Sequence, residues 1–132
     1  MDVLFIAAGA SGNGVMHSAR EATGVSIIGV DTDQFDLGAR GDGNIMLTSA
    51  LKVMSVNVQR QLEAIHNGTF QGQNVILGAA TDSTGFVRAP GRHQLSDATL
   101  AALEEVYVLV HDGVIVPAAQ FNGHTPTNFP GL

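Results

Sequence analysis

The sequence predicts an α/β fold with parallel strands and flanking helices. Three observations carry that prediction. Short apolar runs ending at glycine or aspartate alternate with longer amphipathic stretches. The first strand, helix and second strand fit within ~30 residues, the length of a βαβ unit, whose strands run parallel. Hydrophobic residues make up 45% of the chain and charged residues 14%, a balance that argues against disorder. With 132 residues there is material for one domain, which at this size buries roughly two-thirds of its unfolded surface.

Residues 3–8 read as a buried strand, apolar and short, stopped by Gly9. The segment "AAGASGNG" over residues 7–14 is a strand-to-helix turn, and residues 13–23 form the helix, with Gly24 as its C-terminal cap. Residues 25–30 make the second strand, which stops at Asp31. Residues 36–44 are a loop by composition, and Ile45 to Thr48 a short third strand. Ser49 then caps a helix running to about His66, whose Met54, Val58, Leu62 and Ile65 share one face. Asn67-Gly68 ends it. Asn74 to Ala79 is a fourth strand, and Thr81 to Arg92 is rich in turn formers. Two readings compete for the next segment. Ser96 is a good N-cap for a helix with Leu100, Leu103 and Val110 on one face. Val106–Val110 and Val114–Val116 could instead pair as a hairpin through Asp112-Gly113. The helix is preferred. Residues 118–132 form a loose tail.

Several functions are excluded or disfavoured by what the chain lacks. The net charge of −6, with six Lys and Arg in all, leaves no footprint for nucleic acid or an anionic membrane. Cysteine is absent, so disulfides and thiolate metal sites are ruled out. No run reaches the ~18 apolar residues of a membrane span. Met1-Asp2-Val3-Leu4 lacks the basic region of a signal peptide, so the chain is cytoplasmic as it stands, or its processed start lies elsewhere. Asp33, Asp36 and Asp42 do not follow the EF-hand order, which Phe35 breaks. The five histidines show no zinc-binding spacing, no metal is expected, and no cofactor is called for. There is no G-x-S-x-G elbow.

The candidate ligand residues lie at the ends of the first strands. Gly9, Gly12 and Gly14 follow G-x-x-G-x-G, not the dinucleotide order, and no P-loop lysine follows. The loop either lets a ligand approach the backbone closely or is merely a tight turn. Asp31 ends the second strand, where open α/β sheets place ligands, and lies about 20 residues past the glycine loop, the separation at which Rossmann folds hold a ribose. It could equally open a solvated loop. Lys52 falls in the first turn of the helix after Ser49, where the dipole disfavours a cation by a few tenths to ~1 kcal/mol. A partner carboxylate or ligand hydroxyl would explain it there; a solvated lysine tolerating the penalty is the alternative.

Four ordered blocks then carry a resemblance: "DVLFIAAGASGNGV", "IIGVDTDQ", "IMLTSALK" and "AIHNGTFQGQNVILG". The chain resembles the basic membrane protein family of ABC-transporter substrate-binding proteins, the purine nucleoside receptor type, closely over residues 2–80 and loosely over 81–117. The resemblance implies a partial type I periplasmic-binding-protein fold, in which two α/β lobes close on a nucleoside without catalysis. It matches Asp31 to the aspartate that takes the ribose hydroxyls, Lys52 to the lysine beside it, and Gly9 to the loop approaching the sugar. Gly12, Asp33 and Gln34 have supporting roles. It further implies a purine nucleoside ligand, an ABC permease as partner of a full-length protein, and a periplasmic or membrane-anchored location. Family chains are more than twice as long, so this chain looks like the C-terminal part. Residues 1–48 would be the later half of one lobe, and residues 49–117 would belong mainly to the other. The glycine-rich stretch that the family carries after the fourth strand is altered here, to Ala80 through Val87. The apolar stripe from Met54 to Ile65 must then fold back on residues 1–48 or meet a second copy in a homodimer. Three functions compete: a nucleoside-binding module, a ligand-free structural or regulatory fragment, and a Rossmann-type nucleotide enzyme, which the glycine order disfavours.

Overall fold

A computed structural model describes residues 2–117. Its centre is a mixed four-stranded sheet in the order β1-β2-β5-β6. β1 (Val3–Phe5) and β2 (Ser26–Asp31) are parallel, joined by a 3-10 turn (Gly9–Ser11) and helix α1 (Gly12–Glu21). This is the predicted βαβ unit. β5 (Met46–Lys52) lies parallel to β2 on the other side, and β6 (Thr84–Phe86) closes the order antiparallel to β5. A 3-10 turn (Phe35–Gly38) and a two-residue ribbon, β3 (Ala39–Arg40) with β4 (Gly43–Asn44), fill the segment expected to be a plain loop. The β2–β5 register shifts by one residue at Ile27/Ile28, which puts an irregularity in β5 before the end that carries Lys52.

Strand alternation decides what is buried. Leu4 and Ile6 on β1 and its extension turn toward the core, with Met16 and Ala19 from α1, and Ile27, Ile45 and Met46 complete it. Phe5 points the other way and is 61% exposed. The first strand is therefore covered on one face, not buried on both as its apolar run suggested. Arg20 donates to the Leu37 carbonyl, and Arg40 donates to the Ala22 carbonyl at 2.5 Å, tying the end of α1 to the β3–β4 region.

Two expected elements differ. The helix expected from Ser49 starts later: α2 spans Met54–His66. Ser49 is buried in the middle of β5, where its hydroxyl accepts from the Gln34 amide at 3.2 Å. Ser, Ala, Leu and Lys are indifferent strand formers, but pairing with β2 on one side and β6 on the other overrides local propensity. The fourth strand expected over Asn74–Ala79 is not formed. Residues 71–78 are irregular, and Ile76 is 95% exposed. A strand needs a neighbour to satisfy its backbone, and this segment pairs with none of the described strands. The strand that does form, β6, lies in the stretch read as turns. The helix-or-hairpin alternative resolves as a helix: α3 spans Asp97–His111, and Ser96 caps it by accepting from the Thr99 amide at 3.2 Å. The expected tail, 118–132, lies outside the described residues.

Candidate functional site

The carboxyl ends of β2 and β5 sit side by side because the strands are parallel and in register as far as Asp31 opposite Leu51. Asp31 closes β2 and Lys52 closes β5. Lys52 Nζ lies 3.0 Å from Asp31 Oδ1, with the two side chains 66% and 54% exposed. Sequence reasoning brought these residues together for a partly wrong reason. Lys52 is the last strand residue, not part of a helical turn, so the dipole argument does not apply. What places it beside Asp31 is strand adjacency.

Asp31 has φ +68°, one of two non-glycine residues among those described with left-handed backbone. Aspartate tolerates this region better than most residues, yet the conformation is uncommon and is retained only where surroundings hold it. An exposed ion pair is worth about 0–1 kcal/mol. The pair is therefore a poor stabiliser, and its geometry suits it to offering an acceptor and a donor to a ligand.

The pair lines a cleft of about 410 Å³, together with Phe5, Ala7, Gly9, Val30, Ala50 and Leu51. That volume falls within the ~300–1,000 Å³ of small-molecule sites. Gly9 has φ +53° and nothing within 4 Å of where a Cβ would stand, so glycine is required for its backbone while the space beside it stays open. Phe5, missed as a site residue, supplies the apolar wall. Its signal was the strand alternation that turns it away from Leu4 and Ile6. A larger concavity of about 600 Å³ lies between α2 and residues 69–75, but its lining carries no charged side chain.

The three supporting residues take other work. A Cβ on Gly12 would stand 2.8 Å from Ile6 Cγ2, so Gly12 lets α1 pack closely on the end of β1. Gln34 turns back on the strand: its Oε1 accepts from the Val30 amide at 3.1 Å. Asp33 faces Arg92, which donates from Nε to Oδ2 at 2.7 Å, and its Oδ1 accepts from the Phe35 amide at 2.9 Å. Arg92 also forks onto Asp36 at 2.7 and 3.0 Å. The hydrogen bond from Arg92 is the main reason that both carboxyls sit below their ordinary pKa. Among the described residues no group of three potential metal ligands converges, and no helix is long and apolar enough to cross a membrane.

Parallel strands with flanking helices and a ligand-sized cleft at the strand ends make this an α/β architecture with a candidate small-molecule site. Residues 1–118 match the family model Bmp, described as ABC transporter substrate-binding protein PnrA-like, and the chain belongs to that family. Over 129 aligned residues it is 35% identical to the CD4+ T-cell-stimulating antigen of Listeria monocytogenes and to the protein of that name in Listeria innocua. In each case the alignment takes in 87% of this chain and 35% of the relative, so the chain spans about a third of those proteins' length. The fold is also that of a solved structure, a transcriptional activator of the comK gene from Bacillus halodurans. That match has a TM-score of 0.74 at 17% identity and covers 89% of this chain and 39% of the other.

Proposed function

We propose that this chain carries the sugar-holding part of a purine nucleoside receptor serving an ABC permease, and that it binds without catalysis. The observation that carries the reading is the Asp31–Lys52 pair, 3.0 Å apart at the ends of adjacent parallel strands. A carboxylate can accept from two neighbouring ribose hydroxyls, and the ammonium can donate to one of them. Phe5 offers an apolar face beside them, and Gly9 allows close approach of the backbone. The family placement supports the ligand class and the permease partner, and with them a working location outside the cytoplasmic membrane.

In this reading residues 2–52 form the later half of one lobe. The crossover toward the other lobe then follows Lys52, because β5 runs unbroken through positions 48 and 49. The test is calorimetry of the chain with inosine, guanosine, adenosine and free ribose, repeated with Asp31→Ala. Saturable nucleoside binding that weakens by about 10- to 150-fold in the variant is expected, the worth of a hydrogen bond to a charged group. Equal affinity of the two proteins would remove Asp31 from the site.

One observation favours the ligand-free alternative. The stripe of α2, expected to fold back on residues 1–48 or meet a second copy, is open in the single chain: Met54, Val58, Leu62 and Ile65 are each more than half exposed. A second copy covering this face is the homodimer reading. A chain that neither binds any nucleoside nor self-associates fits the structural-fragment reading.

A further inference from the structure

Asp31 is held in a disfavoured backbone conformation, and the turn after it is fastened at several points. The Val30 amide donates to Gln34 Oε1, the Gln34 amide to Ser49 Oγ, and the Phe35 amide to Asp33 Oδ1. Each of these bonds is local or comes from the neighbouring strand. The remaining fastening comes from far along the chain. Arg92 engages Asp33 through Nε and Asp36 through both terminal nitrogens, and its guanidinium carbon lies 5.2 Å from the centre of the Phe35 ring.

The sequence around Arg92 fixes where its side chain starts. Ala89-Pro90-Gly91-Arg92 is a turn: the Arg92 amide donates to the Ala89 carbonyl at 3.0 Å, and Gly91 has φ +77°. Proline second and a left-handed glycine third are the type II turn pattern. Two residues on, the Gln94 amide donates to the Leu47 carbonyl at 2.8 Å, and its side chain reaches the carbonyls of Asn44 and Met46 at 2.6 and 2.8 Å. Arg92 is thus launched from a segment pinned to the edge of β5. All three guanidinium nitrogens are used, a geometry lysine cannot reproduce.

We propose that Arg92 is a positioning residue for the candidate ligand site: it clamps Asp33 and Asp36 and so fixes the turn that aims Asp31 at Lys52. The proposal rests on the sugar-binding reading for its functional consequence, but its structural half can be read separately. Arg92 is not among the residues that line the cleft. It acts through the turn, so its loss relaxes the local order around Asp31 while leaving the core between α1 and the sheet in place.

The test uses the full 132-residue chain with Arg92→Ala and Arg92→Lys, read by residue-resolved amide exchange and by calorimetry with inosine. Arg92→Ala speeds exchange at Gln34 and Phe35 by about three- to tenfold, the scale of an ion-pair network at a partly exposed site, and leaves Ile28 and Ala19 unchanged. Inosine affinity falls by a similar factor. Arg92→Lys, which keeps the charge but cannot bridge both carboxylates, lies between and keeps the proposal testable should the alanine variant fold poorly. Unchanged exchange at Gln34 and Phe35 overturns the proposal, as does uniform acceleration across the sheet, which marks a merely structural role. Tight inosine binding by Arg92→Ala despite faster exchange also overturns it. If the unsubstituted chain binds no nucleoside, the sugar reading fails by itself, and the exchange data still decide whether Arg92 fixes the turn.

Discussion

Residues 2–52 and residues 53–117 are built on different terms. The first stretch has a core: α1 lies over β1, β2 and β5, and Ile27 and Met46 are fully buried between them. In the second, neither α2 nor α3 buries a single residue. Polar tethers hold α2 instead. The Ser83 carbonyl accepts from the Val53 amide, Ser83 Oγ donates to Asn57 at 2.8 Å, and Arg60 reaches the Thr81 carbonyl at 2.5 Å. α3 hangs on Tyr107, which meets Phe86 edge-on and donates to the Thr84 carbonyl, and on Arg88, set between those two rings and paired with Glu104. An amphipathic helix buries its stripe when it has something to bury it against. The difference shows that the buried core belongs to the first stretch, while the helices of the second are held by polar and aromatic contacts with their apolar residues open.

The sharpest way to break that comparison is to truncate one apolar residue on each side. Ile27→Ala is expected to destabilise the chain by about 2–5 kcal/mol, the cost of a cavity in a packed core. Leu62→Ala is expected to stay within about 0.5 kcal/mol, as exposed substitutions do. Urea unfolding followed by circular dichroism reads both. A comparable, concentration-dependent loss for Leu62→Ala would mean that a second copy covers α2.

Lys52 tests the seam between the two parts. Lys52→Ala is expected to weaken nucleoside binding by about 10-fold or more, through one charge-assisted hydrogen bond. Stability should change by less than about 1 kcal/mol, because the ion pair it breaks is exposed. Parallel calorimetry and unfolding curves separate the two effects; a large stability loss with intact binding would recast the pair as a structural clip.

These contrasts also mark what could be read from the letters alone. The βαβ unit and α3 with its Ser96 cap were legible because each depends on local pattern, whereas the meeting of Asp31 with Lys52 was implied by the family resemblance and is produced by strand adjacency. The extension of β5 through Ser49 to Lys52 was not legible. Ser49 looks like a helix cap, and only the flanking strands make it a strand residue. Asn74–Ala79 fails in the opposite sense. Its letters favour a strand, but strand formation is a property of a pair, and none of the described strands pairs with it. Asp33 was placed as an aid to ligand binding, while the structure shows it facing an arginine 59 residues away, a contact no spacing rule discloses.

Asp31 sharpens the comparison within residues 2–52, where the residue with left-handed non-glycine backbone is also the one proposed to meet the ligand. Asp31→Gly removes the side chain and relieves a left-handed backbone at once. It is expected to be more stable than Asp31→Ala by about 0.5–1 kcal/mol, while both variants lose nucleoside affinity alike. A thermal melt of the two proteins beside the calorimetry decides it. Equal stability would mean that the backbone at position 31 relaxes when the carboxylate is gone.

The smallest effect lies in the loosely held half, at the end of α3. The hydrogen bond to Asp112, 2.8 Å away, is the main reason His111 sits above its ordinary pKa. The charges of Asp112 and of Asp82, 4.0 Å from the ring, push the same way, and desolvation opposes them. The helix C-terminus also favours a cation there. A histidine whose folded pKa is raised contributes stability that is complete below its unfolded value near 6.5 and is lost as pH rises through the folded value. Asp33 and Asp36, held down by Arg92, behave oppositely. Their contribution is present above their unfolded pKa near 3.8 and disappears as pH falls through the lowered folded value. The hold of Arg92 on Asp33 and Asp36 should therefore weaken only in acid, and that of Asp112 on His111 as pH rises above about 6.5. Proton NMR titration of the His111 ring should give a midpoint above 6.5 that returns toward it in Asp112→Asn. Amide protection at the end of α3 should decline over the same pH interval in the unsubstituted protein and stay flat in the variant. A midpoint unmoved by Asp112→Asn would show that this end of α3 is held by backbone capping alone.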